Sequence, residues 1–244
     1  MNWRRVLLPF SGLYWIGTSV RNVLYNIGLI RSTSFNIPII NVGNLSVGGT
    51  GKSPHIMYIA DLLKERKLIS TLSRGYGRKS NGFLIANYST KVYDIGDEPM
   101  QFFQRFKNRI LIAVCESRVF GANKLINHYN AEAILLDDAY QHRSIKAGFN
   151  ILLTDFNNPY YKDFLLPAGD LRESGRGVRR ADIVIVTKCP DRIPEEKYEE
   201  IKRKIKLKSH QQLFFSKIIY DNKIIGHLDK IEKSAWNNIN VILV

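Results

Sequence analysis

The 244-residue sequence predicts an α/β protein with a mostly parallel sheet and flanking helices. Three observations carry that expectation. Continuous apolar runs at Ile110–Val114, Ala133–Leu136, Ile151–Thr154 and Ile183–Thr187 are the type buried on both faces of a parallel sheet. Helix-like stretches alternate with strand-like runs, as crossover helices do. A glycine-rich loop, Ser46-Val47-Gly48-Gly49-Thr50-Gly51-Lys52-Ser53, follows a strand-like run and opens a helix-like one.

Composition bounds the partners. Hydrophobic residues make up 45% and charged residues 24%, enough for one sizeable core, or one core with a small appendage. Lys and Arg number 36 against 22 Asp and Glu, a formal charge of +14. Such a surplus favours nucleic acid, an acidic membrane surface or a phosphorylated substrate. The basic residues are scattered and no nucleic-acid module is recognisable, so no nucleic-acid partner is expected. Cys115 and Cys189 sit beside apolar runs without metal-ligand spacing and read as buried thiols in a reducing compartment.

Residues 1–34 form a segment of their own. Arg4 and Arg5 precede Val6–Val20, which Pro9, Gly12 and Gly17 interrupt. No clean signal cleavage site follows, and the run falls short of the roughly 20 apolar residues of a membrane span. Trp3, Leu7, Phe10, Leu13, Trp15 and Val20 give an apolar stripe punctuated by arginines. A membrane-surface amphipathic helix is expected, with a helix packed on its own domain as the alternative. Ile37–Val42 reads as a strand, Lys52–Lys67 as a helix and Leu68–Leu72 as a second strand. Phe83–Ala86 and Lys91–Tyr93 suggest a hairpin around Asn87-Tyr88-Ser89, and Pro99–Phe106 and Ser117–Tyr129 read as helices. Pro194–Leu207 is a charged helix and Leu213–Tyr220 a strand. Asn240–Val244 resembles the first strand of something further, so the chain is expected to continue. The division is 1–34, a membrane-associated helix; 35–208, the nucleotide-binding core; and 209–244, linker strands opening a truncated C-terminal domain.

The loop carries the chemistry. Its pattern is that of a phosphate loop, with Ser46 where the first glycine usually stands. The glycines let backbone N–H groups turn inward on phosphate oxygens, and the following helix adds its positive end. The fold class is therefore P-loop NTPase-like, with a nucleoside triphosphate and Mg²⁺ as its ligands. Ser46 through Ser53 bind nucleotide, Lys52 reaches the β- and γ-phosphates, and the Ser53 hydroxyl meets the metal. Asp137 and Asp138 emerge at the carboxyl end of a strand, where open α/β sheets bind ligands, and suit metal holding. Gln141 and His142 follow directly. Asp97 reads equally as a helix N-cap before Pro99 and as a general base. Arg172, in the Pro167–Glu173 loop, is placed to neutralise phosphate charge.

Together these stretches resemble one family, the tetraacyldisaccharide 4′-kinases. The resemblance rests on Val42-Gly43-Asn44 through Lys52-Ser53-Pro54, Ser73-Arg74-Gly75-Tyr76-Gly77 and Gly96-Asp97-Glu98-Pro99. It rests equally on Leu136 through His142, Leu166 through Glu173, Ala181-Asp182 and Thr187-Lys188-Cys189-Pro190. It covers the chain to about residue 220 and implies transfer of the γ-phosphate of ATP to the 4′-hydroxyl of a tetraacyldisaccharide 1-phosphate. The implied roles are Asp97 as general base, Lys52, Asp138 and Arg172 in catalysis, and Gln141 and His142 beside the nucleotide. Ser53, Asp137, Asp138 and Glu173 are implied at the metal. The resemblance also implies a monomer at the cytoplasmic face of the inner membrane, meeting its glycolipid substrate through the first helix. A C-terminal domain with a D-H-H-like motif is implied too, and none of the five histidines matches it. Two other readings stay open: another P-loop NTPase, and a truncated fragment that binds nucleotide without transferring phosphate. Cys189-Pro190 after Thr187-Lys188 removes the aspartate a guanine-specific site uses.

Overall fold

The computed structural model describes residues 3–219 and the backbone of two short strands, Lys223–Ile225 and Lys230–Glu232. The expected terminal strand at Asn240–Val244 lies outside the described residues. A 3₁₀ turn at Trp3–Leu7 leads into α1 (Leu8–Asn26), with Pro9 in its first turn, where a missing N–H costs nothing. The sheet then builds from β1 (Ile39–Asn44), β2 (Ile69–Ser73), β3 (Leu84–Ile85), β4 (Leu111–Val114), β5 (Ala133–Asp137), β6 (Phe149–Asp155), β7 (Ile183–Thr187) and β8 (Gln212–Phe215). Its order is β3-β4-β2-β5-β1-β6-β7-β8, with every pairing parallel except β3 on β4 at one edge. β8 takes the sheet beyond residue 208.

The helices are α2 (Lys52–Leu63), α3 (Val92–Ile95), α4 (Asp97–Phe106), α5 (Arg118–Tyr129) and α6 (Glu195–Ile205). Strand alternation divides the core between two faces. Ala133 and Leu135 of β5 pack with Ile56, Ala60, Phe102 and Phe106 of α2 and α4. Ile134 and Leu136 pack with Ala122 and Leu125 of α5 on the other side. Both faces are covered by helices, which is why these strands read as unbroken apolar runs. A third cluster joins Leu152, Val184 and Val186 to Ile201 and Ile205 of α6.

The expected hairpin is not formed. Leu84–Ile85 pairs instead with Ala113 and Val114 of β4, and residues 92–95 are helical. The cause is local: the Asp94 carboxylate accepts the Lys91 N–H at 2.8 Å, closing a helical turn, while Asn87 Oδ1 takes the Ser89 N–H at 2.9 Å. α2 stops at Leu63, short of the expected Lys67.

α1 is amphipathic in an inverted sense. Ser11 is buried, its hydroxyl donating to Leu165 O at 2.9 Å and accepting from Ala168 N at 3.1 Å. Tyr14 donates to Arg172 O at 2.8 Å, and Arg4 pairs with Asp170 at 2.8 Å. Phe10, Leu13, Trp15, Ile16, Val20 and Val23 are exposed on the outer side. No helix among the described residues is long and apolar enough to cross a membrane.

Candidate active site

Strand order places the site. β5 lies directly beside β1, with Asp137 opposite Val42. The glycine-rich loop leaving β1 and the carboxylates leaving β5 therefore emerge side by side at the carboxyl edge of the sheet. Gly51 caps α2 with φ +84°, a left-handed conformation that a side chain disfavours. No side chain caps the first turn of α2, so its backbone donors remain available to an anion.

The loop is braced from beneath and beside. Asn44 Nδ2 donates to Thr50 Oγ1 at 2.9 Å, and Thr187 Oγ1 donates to Thr50 O at 3.0 Å. Val47 N donates to Asp170 O at 2.8 Å, and Arg172 N to Leu45 O at 2.7 Å. The Arg172 guanidinium then spans the site, donating to Asp138 Oδ2 at 2.9 Å, Asn44 Oδ1 at 2.9 Å and Ser46 O at 3.3 Å. Lys52 Nζ stands 3.6 Å from Asp138 Oδ1. Lys52, Asp138 and Arg172 are thus brought together.

Electrostatics separate the two aspartates. Asp137 is buried and neither carboxylate oxygen has a hydrogen-bond partner in the protein. Burial, with the nearby Glu98 and Asp138 charges, pushes its carboxyl up to about 7. Asp138 is also raised by burial, but the Arg172 hydrogen bond and the Lys52 charge outweigh this and hold it below the usual carboxylate range. His142 is pushed down to about 4 by burial and by the Arg118 and Arg74 charges, so it is a neutral imidazole at pH 7.

A cavity of about 280 Å³ opens between the glycine-rich loop and the loop after β2. Asp137, Asp138, His142, Arg172 and Glu98 face it. At the start of α4 the two acids divide: Glu98 lines this cavity and Asp97 is exposed beside it. Asp97 is the first residue of the helix and Gly96 its cap, so the N-cap expected at Asp97 sits one residue earlier. Gly96 has φ +90°, and a Cβ there would come 2.6 Å from Tyr76 O.

Gln141 and Glu173 belong to the support. Gln141 Nε2 donates to Asn44 O at 2.9 Å and Glu173 Oε1 at 3.1 Å. Glu173, expected as a metal ligand, is spoken for. Arg180 donates to both its oxygens at 2.7 and 3.0 Å, and Asn22 adds a third donor at 3.1 Å. A carboxylate so saturated positions Gln141 and α1; it has no oxygen to spare for a cation. Arg118 is the residue that motif reading missed. It is 2% exposed, lines the carboxylate cavity and has no carboxylate bonded to it. Burial lowers its guanidinium to about 10, against the pull of Asp137. Its only sequence signal was an arginine directly after Ser117, the N-cap of α5.

The family model for tetraacyldisaccharide-1-P 4′-kinase matches residues 3–243. The chain belongs to this family. It is 51% identical over 242 residues to the Flavobacterium johnsoniae tetraacyldisaccharide 4′-kinase, covering 99% of this chain and 71% of that one. Identity to the Bacteroides thetaiotaomicron enzyme of the same name is 43% over 250 residues, covering 98% of this chain and 66% of that one. The chain therefore spans about two thirds of the length of these relatives. Among solved structures, LpxK from Aquifex aeolicus in complex with ATP matches with a TM-score of 0.69 and 31% identity, over 87% of this chain and 81% of that one. At that similarity the family's P-loop kinase fold and this sheet are the same architecture.

Proposed function

We propose that the chain transfers the γ-phosphate of ATP to the 4′-hydroxyl of a tetraacyldisaccharide 1-phosphate. The observation that carries this reading is the convergence of Lys52, Asp138 and Arg172 on the glycine-rich loop beside the unpartnered Asp137. Family membership supplies the acceptor class.

The residues present fit magnesium. Asp137, Asp138 and the Ser53 hydroxyl form an all-oxygen donor set, and the raised Asp137 carboxyl is what a cation would relieve. Magnesium takes one or two carboxylates, with phosphates and waters completing its shell. Held by these groups, the ion would supply positive charge against the phosphates of the nucleotide. Backbone N–H groups of residues 48–53 cradle the phosphates, Lys52 meets the γ-phosphate, and Arg172 stabilises the charge that spreads over its oxygens. Asp97 accepts the proton of the acceptor hydroxyl from its exposed place at the start of α4. Neutral His142, which lines the cavity with Asp137 and Asp138, offers one hydrogen bond beside the nucleotide.

α1 lies on the cytoplasmic surface of the bacterial inner membrane, its outer apolar side in the lipid and its inner polar side on the catalytic loops. A basic protein, acting as a monomer, suits an anionic bilayer and an anionic glycolipid. The test is transfer of label from [γ-³²P]ATP to tetraacyldisaccharide 1-phosphate in mixed micelles with Mg²⁺. Label in the lipid that disappears in Lys52→Ala supports the reading. ATP binding without label in any lipid removes it.

A further inference from the structure

The cavity at the carboxylates is not the largest among the described residues. A second, of about 810 Å³, lies beneath the end of α1, between Tyr25, Asn26, the segment 28–34 and the loop that follows β5. The two share a single lining residue, His142. A volume of this size is that of a small-molecule site.

Its lining is one-sided in charge. Arg31, Arg143, Lys146 and Arg180 contribute to it and no Asp or Glu does. Arg180 is neutralised by Glu173. The other three have no carboxylate partner among the described residues. Arg143 bonds neutral groups only, donating to Asn22 O at 2.8 Å and Asn26 Oδ1 at 2.7 Å while stacking on Tyr25. Its bond to Asn26, the last residue of α1, sets its positive charge at the negative end of that helix. Beneath these cations lies a polar floor. Asn41 is 3% exposed, its Nδ2 donates to Asn150 Oδ1 at 3.1 Å, and its Oδ1 has no partner although it is buried. An orphaned buried acceptor beside unpaired cations calls for a ligand that brings both a hydroxyl and an anion.

We infer that this cavity binds a phosphate-bearing, hydroxyl-rich headgroup, with Arg31, Arg143 and Lys146 on the phosphate and Asn41 on a hydroxyl. It adjoins the last turns of α1, whose outer face exposes Val20 and Val23, so a lipid lying along the helix can lower its headgroup into it. Two molecules have that chemistry: the phosphorylated sugar of the acceptor, which rests on the function proposed above, and a phospholipid of the surrounding bilayer.

The test uses the full chain and Arg31→Ala/Lys146→Ala, two exposed side chains that hold neither α1 nor the carboxylate site. Binding is measured without ATP. The ligands are tetraacyldisaccharide 1-phosphate, the same disaccharide lacking its phosphate, and vesicles with and without anionic phospholipid. ATP binding serves as the folding control. A loss of about tenfold or more for the phosphorylated disaccharide, with the unphosphorylated one unchanged, assigns the cavity to the acceptor. An equal loss confined to anionic vesicles assigns it to a bilayer phospholipid. A variant that binds both as wild type does, or a wild type that binds neither, overturns the inference. Because nothing is transferred in these measurements, a failed kinase assay beside charge-dependent binding would overturn the proposed function and leave this site standing.

Discussion

Asp137 and His142 pull on folding stability in opposite directions. In the metal-free protein Asp137 keeps its proton to about 7, whereas the unfolded chain loses it near 3.8. Between those values the folded state holds the extra proton, so this group's contribution to stability falls as pH rises. His142 does the reverse: unfolded it holds a proton up to 6.5, folded only to about 4, so its contribution rises with pH across that window. Asp137→Asn removes the first slope and leaves the second. Without Mg²⁺ the variant should gain thermal stability from pH 4.5 to 6.5 more steeply than wild type, by several degrees, since about 1 kcal/mol moves the midpoint by roughly 2–4 °C. Parallel melting curves would mean that Asp137 is ionised in the metal-free protein. Mg²⁺ affinity of wild type should rise with pH up to about 7, as the carboxyl must ionise to bind, and then level. Arg172 gives a separate prediction. It reaches Asp138, Asn44 and Ser46 at once through a planar fork that lysine lacks. Arg172→Lys should lower kcat by about a hundredfold with little change in the melting midpoint, read by steady-state kinetics beside calorimetry. These residues were legible because a strand followed by acids, or glycines followed by Lys-Ser, is a local pattern. Arg118 was not, since its place on the carboxylate cavity depends on burial, which no nearby residue announces. Glu173 misled for the same reason: its saturation comes from Arg180, seven residues on, and Asn22, far back in the chain.

α1 shows how far periodicity carries at the level of an element. The stripe of aromatics and leucines predicted an amphipathic helix, and the helix is there. Its polar side packs inward through Ser11, Tyr14 and Asn22, because the loop at 165–173 presents carbonyls and a carboxylate that need partners. The apolar side therefore stays outside. Trp15→Glu/Val20→Glu changes only exposed positions, so the fold and ATP affinity should hold. Co-sedimentation with vesicles should drop at least tenfold, since each charge replaces apolar area worth roughly 25 cal/mol per Å² on burial in lipid. Unchanged sedimentation would show that the helix does not touch the bilayer. The hairpin expected from Phe83–Ala86 and Lys91–Tyr93 does not form, because Asp94 and Asn87 bind their own backbone and decide otherwise.

For the whole molecule, strand order was the property the sequence withheld. The apolar runs announced a parallel sheet, yet nothing in them says that β5 inserts between β1 and β2, and that insertion is what sets the carboxylates against the glycine-rich loop. Net charge, by contrast, is read directly, and it makes a prediction about how the molecule meets a membrane. A charge of +14 attracts an anionic bilayer over distances that salt controls, about 10 Å at 0.1 M and about 3 Å at 1 M ionic strength. Insertion of the exposed side of α1 depends instead on apolar area, which salt does not weaken. The two contributions can be separated by titrating salt against vesicles rich in anionic lipid. Wild type should lose association steeply up to about 0.5 M and then hold a plateau set by α1, whereas Trp15→Glu/Val20→Glu should fall to nothing over the same range. A wild type that detaches completely at high salt would leave charge as the sole attachment and α1 with no part in it; one indifferent to salt would place the basic surplus away from the bilayer, toward the phosphates of its ligands.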